Sequence, residues 1–474
     1  MDRLSWCGIC IIYHTICVLA HSWHNLGNTL AMNSTVGLVD YKKAYGIVHR
    51  YCHIAVVKES CVFMIRARAH SAFVHITPPI RRILMHSLIL GLAMSVADLL
   101  FNFYLVSLGY GTDVAGYLST IYRFAGVVAG VPIGILINRA GPQMAIRIGA
   151  MVFALGWLVQ LMLTDLWALA ITQAIIGASG LMALTAVVPL LTGVTNQEQR
   201  ASIFGLNAAA ALVIGLVGGT VGGLLPSFAA MFLTVGPQST AAYRAALGVV
   251  VILGMVAMLP VLKTITLDAD AQIRRQPAGA QQASDRLPFW FLVRMVLPAL
   301  TLGIGAGVFL PFQNLFFRQQ FQLTDAVVGT LLACGALTMG LGAMIGSTFA
   351  KRFGVKEAAA ALRLVAAPAI LLMLAPTLLP AAVGYLIRGW GIGASFPLND
   401  AYSMQIISPR HRGTIVSLTS MVWSLGWAIT SSVAGLIEKE YGFTPLLIVA
   451  AVSYVISAVT VYTLPNEQPN RANA

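Results

Sequence analysis

The chain has 474 residues, 58% of them hydrophobic and only 9% charged, with a mean hydropathy of +0.82. Soluble proteins carry about 25% charged residues, so this chain has too little charge to cover a water-facing surface and belongs in a bilayer. Its net charge of +13 does not point to nucleic acid, because the basic residues fall in short gaps between apolar runs and no basic stretch is interleaved with aromatics.

Residues 1–82 differ in composition from the rest and hold every cysteine except Cys334. The Cys7-x-x-Cys10 pair and His14 have no second pair at zinc spacing, so no metal is expected. The one apolar run here, 6–20, is shorter than the roughly 20 residues a span needs. No clear small-residue cleavage pattern follows it. The expectation is an atypical extension outside the working protein, with translation starting at Met64 or Met85.

From residue 83 onward, apolar runs alternate with short polar breaks. Spans are predicted at 83–109, 114–137, 144–164, 166–193, 201–225 and 242–262. A polar linker at 263–289 follows, with Arg274, Arg275 and Pro277. Six more spans are predicted at 290–317, 325–349, 358–378, 380–406, 413–437 and 444–464, then a tail at 466–474. Helices are the expected form, because a backbone amide in lipid must be satisfied within its own segment.

The Lys and Arg residues beyond 82 lie mostly in the even-numbered loops, the linker, their flanking helix ends and the tail. Arg244, Arg318 and Lys439 fall on the opposite side, while Arg123 and Arg388 lie within spans. The positive-inside rule then places both ends of the twelve-span unit in the cytoplasm, in an inner (plasma) membrane. A shift of 212 or 213 residues places Arg139-Ala140-Gly141 on Arg352-Phe353-Gly354, Asn102 on Asn314, and Thr112-Asp113 on Thr324-Asp325. Six spans (83–262) followed by six like-oriented spans (290–465) are therefore expected, related by an axis along the membrane normal.

With these features the sequence resembles the major facilitator superfamily. That family's signature between its second and third helices reads Gly-x-x-x-Asp-Arg-x-Gly-Arg-Lys. Here Gly134, Asn138, Arg139 and Gly141 occupy it, with Pro142 and Gln143 at the basic positions. The second copy keeps Arg352, Gly354 and Lys356 but has Lys351 at the acidic position. The resemblance implies an all-α membrane protein, twelve transmembrane helices forming two pseudo-symmetric six-helix bundles. It also implies alternating-access transport of a small-molecule substrate by a monomer without cofactor. Gly134, Asn138, Arg139, Gly141, Lys351, Arg352 and Gly354 become candidate gating-loop residues. Gly141 would permit a tight turn, Gly134 close helix approach, and Arg139 a latch, although a topology signal alone also accounts for the basic residues. Gly215, Gly218, Gly219, Gly222 and Gly223 resemble the family's antiporter signature with Gly219 at its Pro; helix packing alone accounts for them.

Ionisable groups at mid-membrane call for a partner or a role, since each costs at least about 2.5 kcal/mol. Asp98 and Arg123 have similar depths in the first two spans, which a four-residue loop joins at 110–113. They are expected to pair and to couple transport to protons. Ser95, Asp98 and Asn102 share one helical face. In the family the first, fourth, seventh and tenth helices line the cavity. Asn102, Gln173, Gln313, Asn314, Arg388 and Asn399 are therefore the candidate substrate contacts, with Gln173 where many relatives carry Arg. Asp400 ranks below Asp98, because it lies near a span end. No phosphate loop, zinc-protease motif or hydrolase elbow occurs, so neither direct ATP use nor an enzyme is expected. An uncoupled facilitator and a transport-like receptor or assembly factor stay open.

Overall fold

Each predicted span folds as a helix in the computed structural model, which describes residues 76–195, 197–263, 265, 288–407 and 411–465. The extension to residue 75, most of the linker and the tail lie outside the described residues. In the first half, α1 is Pro78–Ser107, α2 Thr112–Ala140, α3 Pro142–Met162, α4 Leu166–Val194, α5 Gln197–Leu233 and α6 Thr240–Val261. In the second, α7 is Phe289–Phe321, α8 Asp325–Phe353, α9 Val355–Leu374, α10 Leu378–Ile406, α11 Arg412–Tyr441 and α12 Phe443–Tyr462. Eleven of these are both long and apolar enough to cross a bilayer. The other, α10, has 29 residues but carries Arg388, Asn399 and Asp400.

The duplication seen in the sequence is repeated in the packing. Within the first half α1 packs on α5 and α6, α2 on α4, and α3 on α4 and α6. Within the second half α7 packs on α11 and α12, α8 on α10, and α9 on α10 and α12. The two turns at the repeated loops also match. Gly141 has φ +86°, ψ 154° and Gly354 has φ +93°, ψ 154°, a conformation that side chains disfavour. Just beyond each turn a polar residue ties the next helix to the end of its bundle. Gln143 Nε2 donates to the carbonyls of Val261 (2.8 Å) and Lys263 (2.6 Å) at the end of α6. Lys356 Nζ, its repeat mate, donates to Leu464 O (3.3 Å) beyond α12. Arg147 adds Nε to Val261 O (2.8 Å) and Nη2 to Leu262 O (2.5 Å). These are carbonyls that a helix end leaves without intrahelical partners.

The halves meet through α2 on α11 and α5 on α8. α5 and α8 cross at Gly219 and Gly329, where a methyl group on either glycine would run into the other's carbonyl. Backbones approach this closely only where side chains are absent, which gives packing in lipid its stabilisation. Both contacts cover only part of each helix. α2 touches α11 through Gly116 and Thr120, whose hydroxyl donates to Ala428 O (2.5 Å). Toward the basic loops, a methyl group on Gly130 or Gly134 of α2 or Gly205 of α5 would meet open space. Among the described residues, the molecule is therefore closed at the face opposite the basic loops and open at the basic face. The expected close approach at Gly134 is absent in this state, because the two halves have parted there.

Candidate functional site

Between the halves lies a cavity with two lobes. One, of about 200 Å³, is lined by Asp98 and Asn102 of α1, Tyr122 and Arg123 of α2, Gln173 of α4, and Gln313 and Asn314 of α7. The other, of about 270 Å³, is lined by Tyr385 and Arg388 of α10, Tyr454 of α12, Trp423 of α11 and apolar side chains. Leu310, Gln313, Leu332 and Trp427 belong to both linings. The structure thus brings together, around one space, every predicted coupling and substrate residue except Asn399. Asn399 lines neither lobe and sits closer to the basic face, where its carbonyl accepts from Ser403 Oγ (2.9 Å).

Asp98 and Arg123 share the first lobe, but the expected ion pair is not formed. The carboxylate of Asp98 is exposed to the lobe and accepts no hydrogen bond among the described residues. Arg123 instead lies over the ring of Trp427, 4.2 Å from its centroid, with Trp423 at 5.7 Å. The reason is topological. Although the chain joins α1 to α2 directly, α2 packs along α4 and α11, so Arg123 faces across the interface. A cation over an indole face is worth about 0.5–2 kcal/mol and uses none of the guanidinium N–H groups.

Asn102 and Asn314 form a reciprocal clasp. Asn102 Nδ2 donates to Asn314 Oδ1 (2.9 Å) and Pro311 O (2.5 Å), while Asn314 Nδ2 donates to Leu99 O (2.7 Å). Leu99 and Pro311 are themselves repeat mates, so the contact has the twofold pseudo-symmetry of the fold. A 3₁₀ turn at Leu310–Phe312 breaks α7 beside it. Two flanking contacts complete the closed face, and they too are built on repeat mates. Lys439 Nζ pairs with Asp113 Oδ2 at 2.8 Å. Tyr243 Oη donates to Asp325 Oδ2 at 2.6 Å, with Arg318 Nε 3.5 Å from Oδ1.

Gln173 is buried, and its Oε1 has no hydrogen-bond partner. Gln313 Oε1 accepts from Tyr385 Oη (3.0 Å). Arg388 is 6% exposed and its Nε donates to Tyr454 Oη (3.0 Å). Among the gating-loop residues, Asn138, Arg139, Lys351 and Arg352 are exposed. Arg139 has no ion-pair or hydrogen-bond partner among the described residues, as the separation at this face requires. Arg352 rests against the ring of its neighbour Phe353 at 5.4 Å.

The sequence gives little warning of Arg363. It reads there as a basic residue near a helix end, yet it is 1% exposed inside the second bundle. Its Nη1 donates to Ser457 Oγ (2.8 Å) and Pro298 O (3.4 Å), and its Nε to Ser395 Oγ (3.5 Å). The serines of α10 and α12 at matching depth were the available signal.

The Major Facilitator Superfamily model matches residues 83–312 and 295–474. The chain belongs to that superfamily. Its described residues carry the superfamily's multi-pass membrane fold. An uncharacterised transporter of the superfamily from Burkholderia pseudomallei is 26% identical over 173 residues, 36% of this chain and 42% of that protein. A protein named as a niacin transporter, from Acinetobacter baylyi, is 25% identical over 33% of this chain and 36% of its own length. The chain thus spans less than half the length of these relatives. The fold is that of a D-xylose–proton symporter (TM-score 0.66, 12% identity, 83% of this chain and 98% of that one). It is also that of a bacterial homologue of the lysosomal transporter Spinster in an inward-facing, occupied conformation (TM-score 0.63, 16% identity, 81% and 93%).

Proposed function

We propose that this transporter is a proton-coupled carrier of the inner (plasma) membrane, with both ends of the twelve-helix unit in the cytoplasm. Its basic face is then cytoplasmic, and the state described is open to the inside. The exposed Asp98 carboxylate supports this reading most strongly. A carboxylate at this depth without a protein partner is intolerable in lipid and tolerable beside a wet cavity, where it can take up and release a proton.

The mechanism follows from the two faces. Opening to the outside requires the Asn102–Asn314 clasp and the flanking Asp113 and Asp325 contacts to separate. Closure of the inside then brings Arg139 and the basic loops toward the other half. Protonating Asp98 removes the one negative charge of the cavity lining and so changes the field around Arg123. Asn102 and Asn314 act in this reading as a gate, because each amide group is already engaged across the interface. Gln173, Gln313 and Arg388 remain the solute contacts.

The test uses proteoliposomes and any solute that raises the melting temperature of the purified protein. Asp98→Asn should retain counterflow, which needs no driving force, and lose accumulation driven by a proton gradient. Wild-type accumulation with unchanged pH dependence in Asp98→Asn would reject proton coupling through this residue.

A further inference from the structure

The charges and unpaired donors of the cavity define a class of solute. We propose that this transporter carries a small organic monoanion with a flat, unsaturated body, its carboxylate held by the terminal nitrogens of Arg388 and its body against Trp423 and Trp427. The proposal rests on the carrier reading above and adds the chemistry of its cargo.

Charge comes first. Among the described residues, the two linings contain Arg123, Arg388 and Asp98, and no other Lys, Arg, Asp or Glu. With Asp98 ionised, one positive charge is left uncompensated in a region where an unpaired charge is costly. A monoanion neutralises it. A cation would double it, and a dianion would reverse it.

Hydrogen-bonding capacity points the same way. Among the described residues, Arg388 donates only through Nε, toward Tyr454, and its two terminal nitrogens have no acceptor. Arg123 donates no hydrogen bond among the described residues and lies on Trp427. The indole nitrogens of Trp423 and Trp427 are buried without acceptors, and Trp427 is 7% exposed. Against these donors the open acceptors among the described residues are the Asp98 carboxylate, Gln173 Oε1 and Asn102 Oδ1. The solute must therefore bring acceptors. A carboxylate has only acceptors, and its two oxygens match the fork of a guanidinium. Arg388 is the better anchor of the two arginines, because its lobe contains no acidic residue while Arg123 shares its lobe with Asp98.

Size and shape complete the description. The Arg388 lobe, about 270 Å³, has room for a small ring with its carboxylate, and the adjoining lobe adds about 200 Å³. Trp423 and Trp427 stand 5.2 Å apart between centroids at 56°, and Tyr385 and Phe396 face the same space. Such walls hold a planar group by offset or edge contacts.

The test is calorimetric binding to the purified full chain with four matched probes: benzoate, benzamide, benzylamine and cyclohexanecarboxylate. Benzoate should bind, benzamide and benzylamine should bind at least about tenfold more weakly, and cyclohexanecarboxylate should fall between. Arg388→Gln should weaken benzoate about ten- to a hundredfold, the range for a lost charge-assisted bidentate contact, and Arg388→Lys should recover part of it. Absent benzoate binding, or benzamide or benzylamine binding as tightly, overturns the proposal, and this comparison needs only the wild-type chain. Equal affinity for cyclohexanecarboxylate overturns the flat-body requirement. If the anions fail while another solute still shows counterflow, the cargo assignment falls and the carrier reading stands.

Discussion

Removing either asparagine of the clasp should shift the carrier toward its outward-open state. Asn102→Ala deletes two hydrogen bonds between the halves, to Asn314 and to Pro311 O. Asn314→Ala also deletes two, to Asn102 and to Leu99 O. The double variant deletes three, because one bond is shared. At about 0.6–1 kcal/mol per bond in a membrane protein, each single variant shifts the equilibrium by about 1–2 kcal/mol, roughly five- to thirtyfold. The double variant should shift it by about 2–3 kcal/mol, short of the sum by one bond. The assay is the distance distribution between spin labels at Gln238→Cys and Gln320→Cys, in a cysteine-free background. Both positions are exposed at the closed face, one in each half. The long-distance population should grow equally in the two single variants and less than additively in the double. Unchanged populations, or a shift confined to one asparagine, would refute a symmetric gate.

Gly329→Leu should prevent closure of the outer face, because any side chain there meets the carbonyl of Gly219; uptake should be lost while the protein still reaches the membrane, and wild-type uptake would contradict the close crossing. Arg147→Ala frees the carbonyls of Val261 and Leu262 and should lower stability by about 1–3 kcal/mol, read as a lower melting temperature in detergent. Arg363→Lys cannot span Ser395, Pro298 and Ser457 with one ammonium group, so it should destabilise the second bundle by a similar amount; an unchanged melting temperature would argue against the network. Lys439→Gln removes a pair whose lysine is 58% exposed and should shift the gate by less than about 1 kcal/mol, well below the effect of either asparagine in the same spin-label assay.

The twelve helices, their duplication and the turns at Gly141 and Gly354 were legible in the sequence for one reason. Lipid cannot satisfy backbone amides, so each crossing must be a continuous apolar helix, and a positive φ at a tight turn selects glycine. The repeat register carried further than hydropathy alone, because it marked Asn102 and Asn314, and Asp113 and Asp325, as equivalent positions of the two halves. Depth along a helix was legible too, which is why Asp98, Arg123 and Arg388 prove to line a cavity.

What only the tertiary structure decided was the partner of each polar group. Chain adjacency made Arg123 the expected mate of Asp98, but α2 turns toward α11, and the guanidinium rests on Trp427. Asn102 and Asn314 read as solute contacts until the halves were seen to meet there and engage their amides. Arg363 lies near the end of the predicted span 358–378, and only the packing of α9 on α10 and α12 shows it buried against Ser395 and Ser457. A period or a hydropathy profile fixes how deep a side chain lies and leaves its bearing open, because that bearing depends on how helices distant in sequence rotate against one another.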